Sequence, residues 1–136
     1  MPTFFIYSRP TDFYPRFLQA SNKYAPRALK KAGVTAPQVG LITANDVVHG
    51  KPHPTPYLAG ATKCGVEANK CLVVEDAISG LRSGKAAGAK TLAVCTSTEH
   101  SILKEKGVPD YIVKDLTCVT VEQLSDGQLK ININVD

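Results

Sequence analysis

Four apolar residues in a row, Cys71-Leu72-Val73-Val74, run directly into two adjacent carboxylates, Glu75 and Asp76. A short continuous apolar run of this kind marks a strand buried on both faces of a parallel sheet. The same form returns at residues 91–95, Thr-Leu-Ala-Val-Cys, and the stretch between reads as a helix stopped by Gly88. Strand, helix and strand at this spacing predict right-handed βαβ units and an α/β fold built on a parallel sheet. In such sheets ligands collect beyond the carboxyl ends of the strands. Glu75 and Asp76 therefore stand where chemistry is expected.

The rhythm extends both ways. Residues 22–32 read as a helix whose apolar face is Tyr24, Ala25, Ala28 and Leu29, with Pro26 in its first turn and Gly33 as its stop. Residues 39–43 read as a short strand, and residues 54–63 as a helix that Gly65 closes. Further on, residues 79–87 form a helix, 101–106 an exposed helix before Gly107, and 110–113 a short core strand. The alternation Leu129-Lys130-Ile131-Asn132-Ile133-Asn134-Val135 predicts a half-buried edge strand. The first twenty residues break the pattern: they hold three of the nine prolines, and their aromatics keep no period. A strand over residues 4–7 is the one element expected there. The chain thus divides into an irregular segment, 1–20, and a partial α/β core, 21–136.

Sixteen basic and twelve acidic residues leave a net charge of +4, and no Lys/Arg block is longer than Lys30-Lys31. That argues against nucleic acid as a partner. A mild positive excess suits a small anionic ligand, and equally suits plain solubility. Cys64, Cys71, Cys95 and Cys118 include no Cys-x-x-Cys pair, so free thiols in a reducing compartment are expected. The start of the chain lacks the basic and apolar regions of a signal peptide. No run approaches the roughly 18 apolar residues of a membrane span. A cytoplasmic protein with no membrane partner is the expectation.

Adjacent carboxylates on a rim repel each other unless a cation compensates. Mg²⁺ suits them, since it binds through one or two carboxylates together with phosphate and water. Alone, a Glu-Asp pair after a strand reads more readily as a helix cap beside a solvated neighbour. Two features reverse that balance: Lys51, 24 residues upstream in the Pro-pinned loop Gly50-Lys51-Pro52-His53-Pro54, and Gly80, which opens the helix behind the pair. His49 and His53 flank Lys51 four residues apart, but amid Gly50, Pro52 and Pro54 they lie on a loop, and a metal-binding pair at that spacing needs a helix.

Taken together, Thr43-Ala44-Asn45-Asp46-Val47 with Gly50-Lys51-Pro52-His53-Pro54-Thr55-Pro56-Tyr57-Leu58, and Cys71-Leu72-Val73-Val74-Glu75-Asp76-Ala77 with Ser79-Gly80 and Ala86-Ala87-Gly88, resemble the third and fourth motifs of the haloacid-dehalogenase (HAD) superfamily. The resemblance covers about residues 21–113 and is strongest to the glycerol-3-phosphatase and 2-deoxyglucose-6-phosphatase branch. It implies a Rossmann-like parallel α/β core and a phosphatase acting on small sugar or polyol phosphates with Mg²⁺. Lys51 would be the catalytic cation that neutralises the transferring phosphoryl group. Asp76 would coordinate Mg²⁺, with Glu75 helping directly or through water. Ser21 and Asn22, in Ser21-Asn22-Lys23-Tyr24-Ala25-Pro26, match the downstream half of the second motif and would face substrate.

The family's first motif, Asp-x-Asp-x-Thr, occurs nowhere in the sequence. Its nearest counterpart, Ser8-Arg9-Pro10, puts serine and proline where the two aspartates belong, so nucleophile and general acid are both lacking. The resemblance therefore implies an incomplete core, N-terminally truncated, with the cap domain and the first-motif strand absent. Mg²⁺ binding should be weak or absent and turnover negligible. An apolar strand left without its neighbour would also expose an edge through which chains could self-associate. The alternative is a non-catalytic remnant that binds phosphorylated metabolites or a partner chain.

Overall fold

The computed structural model describes residues 3–6, 17–20, 42–125 and 129–135. Six strands form one sheet: β1 (Thr3–Ile6), β2 (Phe17–Ala20), β3 (Ile42–Thr43), β4 (Leu72–Glu75), β5 (Lys90–Val94) and β6 (Tyr111–Val113), in the order β3-β2-β1-β4-β5-β6. Three helices accompany them among the described residues: α1 (Thr55–Lys63), α2 (Ile78–Ala86) and α3 (His100–Lys106). These elements make an incomplete Rossmann-like α/β core. The pairs β4–β5, β5–β6 and β2–β3 are parallel, as the βαβ spacing requires.

One strand runs the other way. β1 is antiparallel to both neighbours, with Phe4 opposite Val74 and Ile6 opposite Leu72. The chain length explains the turn to β2: residues 7–16 alone join the two strands, and a parallel crossover needs a dozen residues or more. β1 thus lies beside β4, on the flank that the sequence leaves without a first-motif strand. The segment read as irregular contributes both β1 and β2 to the sheet.

Alternation along the central strands sends side chains to two faces. Leu72 and Val74 of β4, Leu92 and Val94 of β5, and Val113 of β6 form one buried cluster. Covering it is a hairpin of β7 (Val119–Gln123) and β8 (Leu129–Ile133), through Cys118, Val119, Ile131 and Ile133. The tail strand expected from its alternation is therefore β8, paired with β7 in a separate two-stranded sheet instead of on the edge of the main one.

On the other face, Val73 packs with Tyr57 and Ala61 of α1, and Ala93 with Leu81 and Leu103 of α2 and α3. Helix α2 lies so close to β4 that a Cβ added at Gly84 would come within 3.0 Å of the Val73 side chain. The helix expected over residues 22–32, and residues 39–41 of the strand expected over 39–43, lie outside the described residues.

Candidate functional site

Strand β4 delivers Glu75 and Asp76 to its carboxyl end, as its apolar run requires, and buries them to 4% and 7% exposure. Burying a carboxylate is costly unless its lone pairs are filled. For Glu75 they are. Oε1 meets the Lys51 ammonium and accepts a hydrogen bond from the Tyr57 hydroxyl at 2.9 Å. Oε2 accepts from the backbone amides of Asp76 and Ala77 at 3.1 and 3.2 Å. Four donors match the roughly four acceptor positions of a carboxylate. Gly80 makes this possible, because a Cβ there would fall on the Glu75 carboxyl group.

Lys51 reaches Glu75 from a braced loop. The His53 amide donates to the Gly50 carbonyl at 3.0 Å, and the Lys51-Pro52 peptide is cis. The buried Ser83 hydroxyl of α2 donates to the His53 carbonyl at 2.5 Å, tying this loop to the helix behind Glu75. Upstream, the Asp46 carboxylate accepts from the hydroxyl and amide of Thr43, and these bonds hold its pKa below the usual carboxylate range. Tyr57 is wholly buried in the first turns of α1, and the Lys51 ammonium sits 5.6 Å from its ring centre.

Asp76 is fixed from the other side. Strand β5 runs parallel to β4 with Ala93 opposite Glu75, so the loop after β5 overlies the end of β4. The Thr96 hydroxyl donates to Asp76 Oδ2 at 3.2 Å, and the hydroxyls of Ser97 and Thr98 donate to the Asp76 carbonyl at 3.1 and 2.8 Å. Lys51, Glu75 and Asp76 are thus brought to one rim. Ser21 and Asn22 lie outside the described residues. The rings of His49 and His53 lie 4.7 Å apart, tilted by 45°, and His53 Nδ1 accepts from the Thr55 amide at 3.3 Å, a helix-start role.

The donor set can be tested against Mg²⁺. Glu75 is committed to Lys51, Tyr57 and two amides. Among the described residues, no group of three or more His, Cys, Asp or Glu side chains could hold a metal. What remains is Asp76, one hard carboxylate oriented by a hydroxyl. That fits Mg²⁺ as a single protein ligand completed by water and a phosphate oxygen.

Sequence reasoning missed Tyr57, Ser83 and the run Thr96-Ser97-Thr98. The rule that placed Glu75 on the rim also applies to β5 and would have flagged the three hydroxyls. Tyr57 gave a weaker signal, a phenol at a core-facing helical position, where its hydroxyl needs a partner.

A family model described as a haloacid dehalogenase-like hydrolase matches residues 20–88. Glycerol-1-phosphate phosphohydrolase 2 of Saccharomyces cerevisiae is 41% identical over 104 residues, covering 71% of this chain and 41% of that protein. 2-Deoxyglucose-6-phosphate phosphatase 2 of the same yeast is 36% identical over 101 residues, covering 69% and 41%. A solved hydrolase from Pseudomonas syringae aligns with a TM-score of 0.63 at 25% identity, over 70% of this chain and 45% of that one. Fold and rim define a Rossmann-like α/β core that carries charged residues at the carboxyl end of a central strand. The chain belongs to the haloacid dehalogenase-like hydrolases, and it spans less than half the length of these relatives.

Proposed function

We propose that this chain carries the phosphate-binding and cation-binding rim of a phosphomonoesterase for small sugar or polyol phosphates, and that by itself it turns over negligibly. The observation that carries the reading is the convergence of Lys51, Glu75 and Asp76 at the carboxyl end of β4. Lys51 offers its ammonium to a phosphoryl group from a loop braced by Ser83, so little reorganisation is needed when charge develops. Glu75 fixes that ammonium in place and touches a cation at most through water. Asp76, aimed by Thr96, holds Mg²⁺. When bound, Mg²⁺ supplies charge neutralisation of the phosphate oxygens. Ser21 and Asn22 would face the substrate, as their motif resemblance suggests.

Low turnover follows from the missing Asp-x-Asp-x-Thr sequence and from the polarity of β1, whose carboxyl end lies opposite Leu72 and away from Glu75. The same two observations favour the second reading, a non-catalytic binder of phosphorylated metabolites. Phosphatase assays of the purified 136-residue chain with Mg²⁺ and small phosphomonoesters, run beside calorimetric binding of the same esters, test the phosphate-binding rim and the negligible turnover independently. Binding without turnover is the expected result. Robust turnover that vanishes in Asp76→Ala would overturn the low-turnover proposal, and absence of both turnover and binding would overturn the phosphate-site reading.

A further inference from the structure

The Tyr57 hydroxyl and the Lys51 ammonium share one acceptor, Glu75 Oε1, inside a site where Tyr57 is wholly buried and the Glu75 side chain is 2% exposed. A hydrogen bond to a carboxylate oxygen disperses its charge, so the phenol and the ammonium compete for the same lone-pair density. Without the phenol, Oε1 would give its whole charge to Lys51 and hold the ammonium as a closed ion pair. With it, the ammonium keeps attraction to spare for a second anion. The Tyr57 ring completes the setting, 5.6 Å from Nζ, where its negative face favours the cation staying at the mouth of the pair.

We infer that Tyr57 is a positioning residue that loosens the Lys51–Glu75 ion pair and so makes Lys51 available to phosphate. The inference rests on the reading of Lys51 as the phosphate-binding cation. No bond is made or broken; the phenol keeps its proton and acts through Glu75 alone. The role does not follow from burial of the ring, which phenylalanine would serve as well. It belongs to the hydroxyl.

The test compares wild type, Tyr57→Phe and a variant with 3-fluorotyrosine at position 57, a stronger donor of the same shape. Two readouts are taken under native conditions. Inorganic phosphate affinity is measured by calorimetry, and the acylation rate of Lys51 by an amine-directed reagent is followed by peptide mass spectrometry. Loss of a hydrogen bond to a charged group should reach Lys51 as a three- to tenfold effect, roughly. Y57F should therefore bind phosphate about that much more weakly and acylate more slowly at Lys51, whereas fluorotyrosine should move both quantities the opposite way. Fluorotyrosine keeps the hydroxyl and the packing, so it tests the idea even if Y57F folds poorly. Unchanged Lys51 acylation across the series would overturn the role of Tyr57. If wild type binds no phosphate, the phosphate-site reading fails, while the acylation series still decides whether Tyr57 governs the ion pair.

Discussion

The Lys51–Glu75 pair predicts an asymmetric response to removing either partner. Lys51→Met takes away the ammonium but leaves Glu75 with the Tyr57 hydroxyl and the amides of Asp76 and Ala77. The stranded charge keeps these neutral donors, so the cost should be about 2–3 kcal/mol, below the 3–5 usual for an orphaned buried ion. Glu75→Leu removes the acceptor of all four donors at once. Two backbone amides and a buried phenol then lose their partner at about 1–3 kcal/mol each. Lys51, whose side chain is 21% exposed, can recover part of its own loss by turning toward water. The net cost should be about 4–5 kcal/mol. In the double variant the charge of Lys51 is no longer there to be stranded, so the two effects should fall short of additivity by about 1–3 kcal/mol. Urea unfolding at pH 7, read by circular dichroism with the slopes compared, supplies all four corners. A K51M variant costing more than E75L, or additivity within about 0.5 kcal/mol, would refute the view that Glu75 is the hub of the site.

Three further outcomes follow from packing and titration. Gly84→Ala should destabilise by about 1–3 kcal/mol despite alanine's better helix propensity, because its Cβ would press on Val73 at 3.0 Å, and in denaturant melts its cost should be smaller when measured in a Val73→Ala background. Burial alone would raise the pKa of Asp110, but hydrogen bonds from the Thr91 amide and hydroxyl at 2.8 and 2.9 Å, with Lys90 nearby, lower it below the ordinary 3.8. The stability it contributes is therefore full above about pH 4 and lost as the pH falls through the lower folded value; the wild-type advantage over Asp110→Asn, about 1–2 kcal/mol, should be flat from about pH 5 to 8 and shrink in acid. Burial, helped by nearby Cys64, pushes the Cys71 thiol up to about 12. At pH 8 its thiolate is then about a thousandfold scarcer than that of an ordinary cysteine. Iodoacetamide should label Cys71 only after denaturant is added, and fast labelling of the native protein would contradict its burial.

Elements whose pattern is local were legible in the sequence. Strand β4 is spelled by its uninterrupted apolar residues, and the glycines at 65, 88 and 107, all at positive φ, end segments where the sequence places stops. Lys51, Glu75 and Asp76 could be named because a Pro-pinned loop and a strand end carry their own signals. What the sequence hid depends on contacts between distant segments. The alternation of Val119-Thr120-Val121-Glu122-Gln123 is strand-like by itself, but its pairing with β8 in a separate sheet is not encoded locally. Glu75 reads as a metal ligand by analogy, yet its donors come from residue 51, residue 57 and its own two following amides, a combination no linear spacing encodes. Thr96, Ser97 and Thr98 differ: the strand-end rule puts them on the rim, and only their bonds to Asp76 depend on β5 lying parallel to β4.

The polarity of β1 bears most directly on what the rim can do. A strand parallel to β4 in that slot would end level with Glu75, and the next residue could lean over Asp76. β1 instead ends at Ile6 opposite Leu72, three residues back along β4 from Glu75, which is about 10 Å at 3.3 Å per residue. A carboxylate placed at Ile6 itself could not close such a gap by side-chain reach alone, since an aspartate oxygen extends only a few ångströms from its Cα. Reversing the strand would demand a connection to β2 longer than residues 7–16 provide, because parallel neighbours need a crossover. The slot beside β4 is thus filled by a strand that pairs with its backbone and whose carboxyl end points away from Asp76. Packing and catalysis make separate demands on that position, and the antiparallel pairing of β1 with β4 answers the first.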